Sequence, residues 1–188
     1  MRVIAGKLRG RPLRAPDGMT TRPTSDRARE AIFQILGNLH ELSVLDLYSG
    51  TGAMGIESLS RGATRAVFVE SDAAALRALK ENLTRLGIAE QATVLAATVE
   101  RSRPRLEKLA PFDLVLADAP WRIAQEAAER VAQVCRGLVA TGGRVLLGHP
   151  TASPVELPAE SGLALADRRK WGGTGMSFYE LVSDIDVL

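Results

Sequence analysis

Two short stretches of the sequence contain the residues best suited to chemistry. In the first, residues 44–55 (VLDLYSGTGAMG), an apolar run leads into three glycines at the spacing G-x-G-x-x-G. In the second, residues 114–121 (LVLADAPW), an apolar run ends on Asp118, and Trp121 follows. Glycines allow a backbone to turn sharply and to approach a ligand closely. The first stretch therefore predicts a ligand-binding loop, and the second raises the question of why a buried strand ends on a carboxylate.

The glycine loop is followed, twenty residues after Gly50, by an acidic residue, Glu70. An acid at the end of the second strand can accept hydrogen bonds from both hydroxyls of a ribose, so a nucleoside-type ligand is predicted. Nicotinamide dinucleotide and S-adenosylmethionine are the two candidates. Asp46 favours S-adenosylmethionine, because a carboxylate beside the loop repels a pyrophosphate and attracts an ammonium or sulfonium group. One such charge pair is worth about 4 kcal/mol at 4 Å and an effective dielectric constant of 20. The alternative is that Asp46 only caps a loop amide.

The hydrophobic pattern predicts alternating strands and helices around both stretches. The predicted strands cover residues 44–48, 66–70, 94–97, 114–118, 144–148, 163–169 and 177–182. The predicted helices begin near Ser25 or Asp26, after the glycine loop, and near residues 72, 99 and 123; the first is expected to bury Ala28, Ile32, Ile35 and Leu36. Such alternation is typical of an α/β fold with a parallel, doubly wound sheet. Ligands bind there at the carboxyl ends of the strands, where strand order reverses, so we expect Asp118 beside the glycine loop.

The composition favours a cytoplasmic protein without a multi-cysteine metal site, and we expect a monomer without a bound metal. The chain has 188 residues, which suits one catalytic domain with a short appendage. No apolar run approaches the roughly 20 residues that cross a bilayer, and the first residues do not resemble a signal peptide. The single cysteine, Cys135, is expected in the core and excludes an internal disulfide. His40 and His149 have no spacing typical of metal ligands and are expected on the surface or in loops.

Basic residues are concentrated in residues 1–30, which have a net charge of +5 in a chain whose total is +2. Residues 6–10 can turn a small hairpin between the short apolar segments on either side. We therefore expect a nucleic-acid-facing arm, residues 1–21, ahead of a catalytic domain, residues 22–188. The candidate contacts in the arm are Arg2, Lys7, Arg9 and Arg11.

Residues 118–121 suit an exocyclic amine on a planar base. Asp118 and the backbone carbonyl of Ala119 can each accept one N–H of the amine. Pro120 stiffens the turn, and Trp121 offers a face on which the base can stack, worth about 1–3 kcal/mol. A base in folded or paired RNA has to be flipped out to reach these groups. The alternative is that the four residues only form a turn.

The motifs resemble those of one bacterial family. DAPW is similar to the (Asp/Asn)-Pro-Pro-(Tyr/Phe/Trp) motif of methyltransferases that act on base amino groups. Together with RPTSDRARE at 22–30, LDLYSGTGAMGIESLSRGA at 45–63 and FVESD at 68–72, it resembles the 16S ribosomal RNA guanine-N2 methyltransferase family, which modifies guanine 966. The resemblance extends from residue 2 to about residue 181. It implies a class I S-adenosylmethionine-dependent methyltransferase fold, Rossmann-like, with a seven-stranded, mostly parallel sheet and a small N-terminal β-hairpin.

The resemblance also implies a role for each matching residue. The catalytic group would be Asp118, Ala119, Pro120 and Trp121. The cofactor S-adenosylmethionine would be bound by Asp46, Tyr48, Ser49, Gly50, Gly52, Glu70, Ser71 and Thr98. Arg22, Thr24 and Arg27 would shape the entrance or contact the RNA, which would be 16S rRNA in the small subunit or its assembly intermediate. The family usually has proline at position 119, so the alanine keeps the carbonyl but loosens the turn. In the segment AATVE after the third strand, residues 96–100, only Thr98 and Glu100 are polar, so backbone contacts to the adenine are expected.

Three alternatives stay open at this point. The same motif serves methyltransferases that act on DNA adenine N6 or cytosine N4, against which the basic arm and the RPTSDR match argue. An RNA-binding assembly factor with weakened catalysis would explain Ala119, but the set of Asp46, Glu70 and Asp118 argues against it. A nicotinamide oxidoreductase is disfavoured by Asp46 and by the lack of an obvious catalytic Tyr-Lys or His pair.

Overall fold

The computed structural model describes residues 1–16 and 25–182. The strands in this part of the chain are β1 (Ser43–Leu47), β2 (Arg65–Glu70), β3 (Ala92–Ala96), β4 (Phe112–Ala117), β5 (Val139–Pro150), β6 (Leu163–Trp171) and β7 (Thr174–Leu181). Its α-helices are α1 (Asp26–Leu36), α2 (Ala53–Ser60), α3 (Ala73–Leu86), α4 (Val99–Leu106) and α5 (Ala124–Cys135). The predicted alternation of strands and helices is confirmed.

The strands form one seven-stranded sheet with the order β3-β2-β1-β4-β5-β7-β6. The first five strands are parallel, whereas β7 is antiparallel to both β5 and β6. The order reverses between β1 and β4, as the sequence predicted. Because β6 runs parallel to β5 and turns back into β7, the turn between β6 and β7 lies at the same edge as the carboxyl ends of the parallel strands.

Helices cover both faces of the sheet and divide the core in two. On one face α4 and α5 pack against the sheet through residues such as Val99, Leu106 and Val131. On the other, α1, α2 and α3 contribute residues such as Phe33 and Leu79. Cys135 lies in the first cluster as predicted, and burial raises the pKa of its thiol to about 12.

Local sequence signals determine where the helices begin and end. The side chain of Ser25 accepts the N–H of Ala28 and begins α1, and the side chain of Asp72 accepts the N–H of Ala75 and begins α3. Both are favoured cap residues because they satisfy an otherwise unpaired N–H of the first turn. Gly87 ends α3 in the left-handed conformation, with φ of 69°.

Two sequence predictions about burial are wrong. Ile35 is 42% exposed, whereas Arg29 on the same helix is 1% exposed. The Arg29 guanidinium donates through Nη2 to Asp26 Oδ1 at 3.0 Å and to the backbone carbonyl of Arg2, whereas its Nε and Nη1 have no hydrogen-bond partner among the described residues. His149 is 1% exposed because β5 continues past it. Its Nε2 lies 3.1 Å from Ser177 Oγ, and its Nδ1 lies 3.0 Å from the carbonyl oxygen of Pro150.

The first residues form a hairpin-like loop that is hydrogen-bonded to α2. A single antiparallel bridge joins Arg2 to Pro12, and a 3-10 turn lies between them. The buried carboxylate of Glu57 accepts the N–H groups of Ile4 at 2.7 Å and Ala5 at 3.0 Å. A Cβ at Gly6 would lie 1.9 Å from the carbonyl oxygen of Ser60, so this close approach requires glycine. The loop is therefore held in place by α2.

No helix within residues 1–16 and 25–182 is long and apolar enough to cross a membrane. Within the same residues, no group of three or more His, Cys, Asp or Glu side chains is placed to hold a metal ion.

Candidate active site

Strand register brings the predicted site residues to one edge of the sheet. Leu47 of β1 pairs with Val69 of β2 and with Ala117 of β4. The residues that follow these three, Tyr48, Glu70 and Asp118, therefore lie side by side at the carboxyl ends of adjacent strands. β5 extends this row, because Leu147 also pairs with Ala117 and is followed by Gly148.

The three glycines of the loop serve two purposes. A Cβ at Gly52 would lie 2.4 Å from Leu79 Cδ1, and a Cβ at Gly55 would lie 2.3 Å from Phe68 Cε1. These two glycines allow the start of α2 to pack tightly on β2 and α3. Gly50 has φ of 54°, and no described atom lies within 4 Å of the position its Cβ would take. Gly50 therefore faces open space at the beginning of a helix.

Glu70 ties the glycine loop to the end of β2. Its Oε2 accepts the N–H of Gly50 at 2.8 Å, and its Oε1 accepts those of Ser71 at 2.7 Å and Asp72 at 2.8 Å. A carboxylate offers about four acceptor positions, and three are engaged by the backbone here. The side chain thus holds the loop in register with the strand and retains limited capacity for a ligand hydroxyl.

Asp46 is buried beneath the loop and caps α2. It is 2% exposed, and its Oδ2 accepts the N–H of Gly55 at 2.9 Å. Burial raises the pKa of Asp46 to about 8; the Gly55 hydrogen bond opposes this, and the charges of Asp118 and Glu70 add to it. The capping alternative left open by the sequence is therefore present in the structure. A cation placed nearby would favour the ionised carboxylate.

Tyr48 and Ser49 place two buried hydroxyls next to the glycines. Neither hydroxyl has a hydrogen-bond partner among the described residues. A buried polar group left unpaired costs about 1–3 kcal/mol. Tyr48 also has φ of 57°, which is rare for a residue other than glycine and is associated with functional sites. Burial raises the pKa of Tyr48, and the nearby guanidinium of Arg130 opposes this. These groups favour a polar ligand over the loop.

Asp118 is packed against Gly148, a residue that the sequence analysis missed. A Cβ at position 148 would lie 2.4 Å from Asp118 Oδ1 and 3.3 Å from Asp118 Cα. Gly148 does not have a positive φ, so the backbone alone does not require glycine there. The requirement is space for the carboxylate. A glycine inside a predicted strand was the signal that could have revealed this contact.

The residues after Asp118 form a short turn at the edge of the sheet. Ala119 is 3% exposed, and a 3-10 turn runs from Trp121 to Ile123. Trp121 is 45% exposed, and its Cη2 lies 3.4 Å from the position of a Cβ at Gly173, in the turn between β6 and β7. The indole therefore lies against the turn between β6 and β7, three residues along the chain from Asp118, and remains accessible, as a stacking surface requires.

Two further predicted cofactor contacts lie at the same edge. Ser71 directly follows β2, and Thr98 lies two residues after β3, immediately before α4. Both are exposed. The structure thus brings together the residues following β1, β2, β3 and β4 that the sequence assigned to one site.

Only some of the predicted RNA-contacting residues lie close together in the structure. Arg2, Arg9 and Arg27 line one cleft of about 320 Å³ between the N-terminal loop and α1, together with Asp26 and Glu30. Elsewhere, Lys7 Nζ donates to Gln91 Oε1 at 3.1 Å, and the Arg11 guanidinium donates to the carbonyl oxygen of Arg85 at 3.2 Å. Arg22 and Thr24 lie outside the described residues.

The strand order, the glycine loop after β1 and the acids at the ends of β2 and β4 define a class I S-adenosylmethionine-dependent methyltransferase fold. A solved RNA methyltransferase from Salinibacter ruber, in complex with S-adenosyl-L-homocysteine, has the same fold. It superimposes with a TM-score of 0.67 at 14% sequence identity and covers 89% of this chain and 98% of its own.

The chain belongs to the family described as Conserved hypothetical protein 95, whose model matches residues 1–180. It is 32% identical over 183 residues to "Putative rRNA methyltransferase YlbH" of Bacillus subtilis, covering 96% of this chain and 98% of that protein. It is 36% identical over 123 residues to Ribosomal RNA small subunit methyltransferase D of Escherichia coli, covering 65% of this chain and 61% of that protein. A solved hypothetical protein of Thermus thermophilus has a TM-score of 0.80 at 32% identity, covering 96% and 99% of the two chains. The family resemblance seen in the motifs is confirmed.

Proposed function

We propose that this protein transfers a methyl group from S-adenosylmethionine to the exocyclic N2 of a guanine in 16S rRNA, guanine 966 of the small ribosomal subunit. The observation that carries the proposal is the juxtaposition of Asp118 with the glycine loop at the point where strand order reverses. The relatives named as ribosomal RNA methyltransferases support the class of substrate. The specific base and position come from the resemblance of the motifs.

The residues around the loop fit S-adenosylmethionine. The space over Gly50 and the unpaired hydroxyls of Tyr48 and Ser49 suit the polar methionine part. Asp46 lies beneath the loop and would offset the positive charge of the ammonium and sulfonium groups. Glu70 would accept from a ribose hydroxyl at its remaining acceptor position, since three are engaged by backbone N–H groups. When bound, the cofactor supplies the electrophilic methyl group.

The turn after β4 would hold the base. Asp118 accepts one N–H of the guanine amine and orients the nitrogen toward the methyl group, while Trp121 stacks on the ring. The backbone carbonyl of Ala119, a residue that is 3% exposed, would accept the second N–H of the amine. Alanine keeps this carbonyl, whereas proline at this position would in addition fix φ. Asp118 need not be a strong base, because the methylated amine becomes acidic enough to lose its proton to Asp118 or to water.

Positioning of the amine would supply most of the rate enhancement over the uncatalysed reaction. Holding two reacting groups in alignment replaces a bimolecular encounter by an effectively unimolecular step, and is worth about 7–11 kcal/mol in favourable cases. This requires neither a metal ligand set nor a covalent intermediate on the protein. The cleft lined by Arg2, Arg9 and Arg27 would contact the RNA backbone. We infer that the protein acts as a monomer in the bacterial cytoplasm, on the small subunit or its assembly intermediate.

The test is methyl transfer from labelled S-adenosylmethionine to three polymers: naked 16S RNA, assembled small subunits lacking the modification, and double-stranded DNA. The proposal predicts label in RNA, in at least one of its two forms, and none in DNA. Asp118→Ala is the matched control and should abolish labelling while retaining cofactor binding. Label in DNA alone would replace the proposal by a DNA amino-methyltransferase. Cofactor binding without labelling of any polymer would favour an assembly factor with lost catalysis.

A further inference from the structure

The turn between β6 and β7 projects beyond the sheet edge at which Asp118 lies, two strands away from β4. Gly148, which contacts Asp118, pairs with Met176 of β7, and Pro150 pairs with Thr174 at the start of that strand. The turn therefore begins two residues beyond the level of Asp118, about 7 Å at the rise of a strand. Trp121 already lies against it, at Gly173. Residues 170–173, which we call the hairpin tip, thus extend the surface on which Trp121 lies.

The hairpin tip is held rigidly. Trp171 pairs with Thr174 across a two-residue turn, in which Gly172 has φ of 61°, a conformation typical of tight hairpins. Thr151, the first residue after β5, fixes the turn from the other side. Its N–H donates to the carbonyl oxygen of Gly173 at 2.9 Å, and its Oγ1 donates to that of Gly172 at 3.0 Å. A ligand would therefore meet a preformed surface.

The side chains of the hairpin tip are of the types, aromatic and basic, that bind single-stranded nucleic acid in other proteins. Lys170 is exposed and forms no ion pair with any residue in the described part of the chain. Trp171 packs partly on the core and keeps part of its ring accessible. Lys170 and Trp171 are consecutive residues of β6, so their side chains leave opposite faces of the hairpin. A strand of RNA that passes over the tip would therefore meet the cation on one side and the aromatic ring on the other, the two side-chain types on which phosphates are bound and bases stack. The neighbouring Arg169 is engaged by Asp167 at 2.7 Å, which leaves Lys170 as the cation of the tip.

We propose that the hairpin tip binds the single-stranded RNA adjoining the target nucleotide, with Lys170 on a phosphate and Trp171 stacked on a neighbouring base. This inference rests on the proposed function, because it takes the base site at Asp118 as its reference point. The geometry gives the tip a defined role. A target base flipped onto Trp121 leaves its neighbours within a few ångströms of residues 170–173, and binding them holds the strand open. The tip therefore contributes to RNA affinity and not to cofactor affinity.

The experiment measures binding of an in vitro 16S RNA fragment containing the target region by the wild type, Lys170→Glu, Trp171→Ala and Trp171→Phe. Lys108→Glu is the charge-matched control, since Lys108 is exposed and lies between α4 and β4 at the opposite edge of the sheet. Lys170→Glu should weaken RNA binding at least tenfold and lower the log–log salt slope by about 0.7–0.9. Trp171→Ala should weaken binding roughly 5- to 150-fold, the range expected for one stacked base, and Trp171→Phe should restore most of it. Affinity for S-adenosylmethionine should not change.

The inference is overturned if Lys170→Glu and Lys108→Glu have the same RNA affinity and the same salt slope. Should Trp171→Ala lose its fold, as loss of cofactor binding would show, Trp171→Phe and Lys170→Glu still decide the question. The proposed function is tested separately by methyl transfer in the wild type. If the wild type methylates RNA but the tip variants bind RNA as tightly as the wild type does, only the proposed role of the hairpin tip is refuted. A wild type that methylates no RNA refutes the function, whatever the tip variants bind.

Discussion

Replacing Gly148 by alanine should nearly abolish methyl transfer without removing any catalytic group. The added Cβ would lie 2.4 Å from Asp118 Oδ1, whereas ordinary van der Waals contact begins at 3.4 Å. The backbone at position 148 lacks a positive φ, so alanine introduces no conformational strain of its own there. The carboxylate therefore has to move by about 1 Å, and Gly148 is a positioning residue for it.

The size of the effect follows from that displacement. A misplacement of about 1 Å at a reacting centre costs on the order of 100-fold in rate. The cost in stability should be smaller, about 1–3 kcal/mol, as for other overpacked sites. We therefore expect the single-turnover rate on small subunits to fall about 100-fold, while the affinity for S-adenosylmethionine changes by less than threefold.

A double-mutant cycle separates this mechanism from general damage. If Gly148→Ala acts by displacing Asp118, it should cost little more in a protein that already contains Asp118→Ala, because the displaced oxygen is then absent. Full additivity of the two effects, or a normal rate in Gly148→Ala alone, would refute the assignment of Asp118 as the group that aligns the amine.

Three other variants test the remaining parts of the site. Asp118→Ala should lower the single-turnover rate at least 100-fold and leave cofactor affinity, measured by calorimetry, nearly unchanged; a near-normal rate would make Asp118 a turn residue only. Glu70→Gln should weaken cofactor binding about tenfold or more, because a charge-assisted hydrogen bond is worth about 1.5–3 kcal/mol, and Glu70→Ala should also lower the melting temperature by releasing the glycine loop; unchanged affinity in both would exclude the ribose role. Asp46→Asn should raise stability above neutral pH and weaken cofactor binding. The native pKa of Asp46, about 8, exceeds the ordinary value of 3.8, so the native state holds more protons than the unfolded state between these pH values, and the free energy of unfolding falls as pH rises through them. Denaturant titrations from pH 5 to 9 should show a weaker pH dependence in the variant, and an identical dependence would contradict this.

The parts of the fold that could be predicted from sequence are those set by local patterns and topology. Short apolar runs separated by amphipathic stretches indicated the strands and helices, and cap residues such as Asp72 indicated helix ends. The proximity of Asp118 to the loop at Gly50 could be predicted from the rule that strand order reverses between the first and fourth strands. Strand register then brings the site residues together, because residues that follow paired positions on adjacent parallel strands lie side by side.

The features that could not be predicted depend on tertiary partners. Glu57 and Arg29 are charged residues that a sequence pattern assigns to solvent, yet both are buried, because the N-terminal loop supplies backbone groups that bind them. His149 was placed on the surface because the end of β5 was predicted too early. The role of Gly148 also depends on a tertiary partner, because its missing side chain leaves room for Asp118, which follows a different strand.

Identifying the methylated nucleoside tests the proposed reaction most directly. Small subunits lacking the modification are incubated with the wild type and S-adenosylmethionine, the 16S rRNA is digested, and the nucleosides are resolved by chromatography and mass spectrometry. We expect N2-methylguanosine, one per subunit, in the fragment containing position 966, and none with Asp118→Ala. Methylation on adenine N6 or cytosine N4, or label only in ribosomal protein, would contradict the proposed reaction.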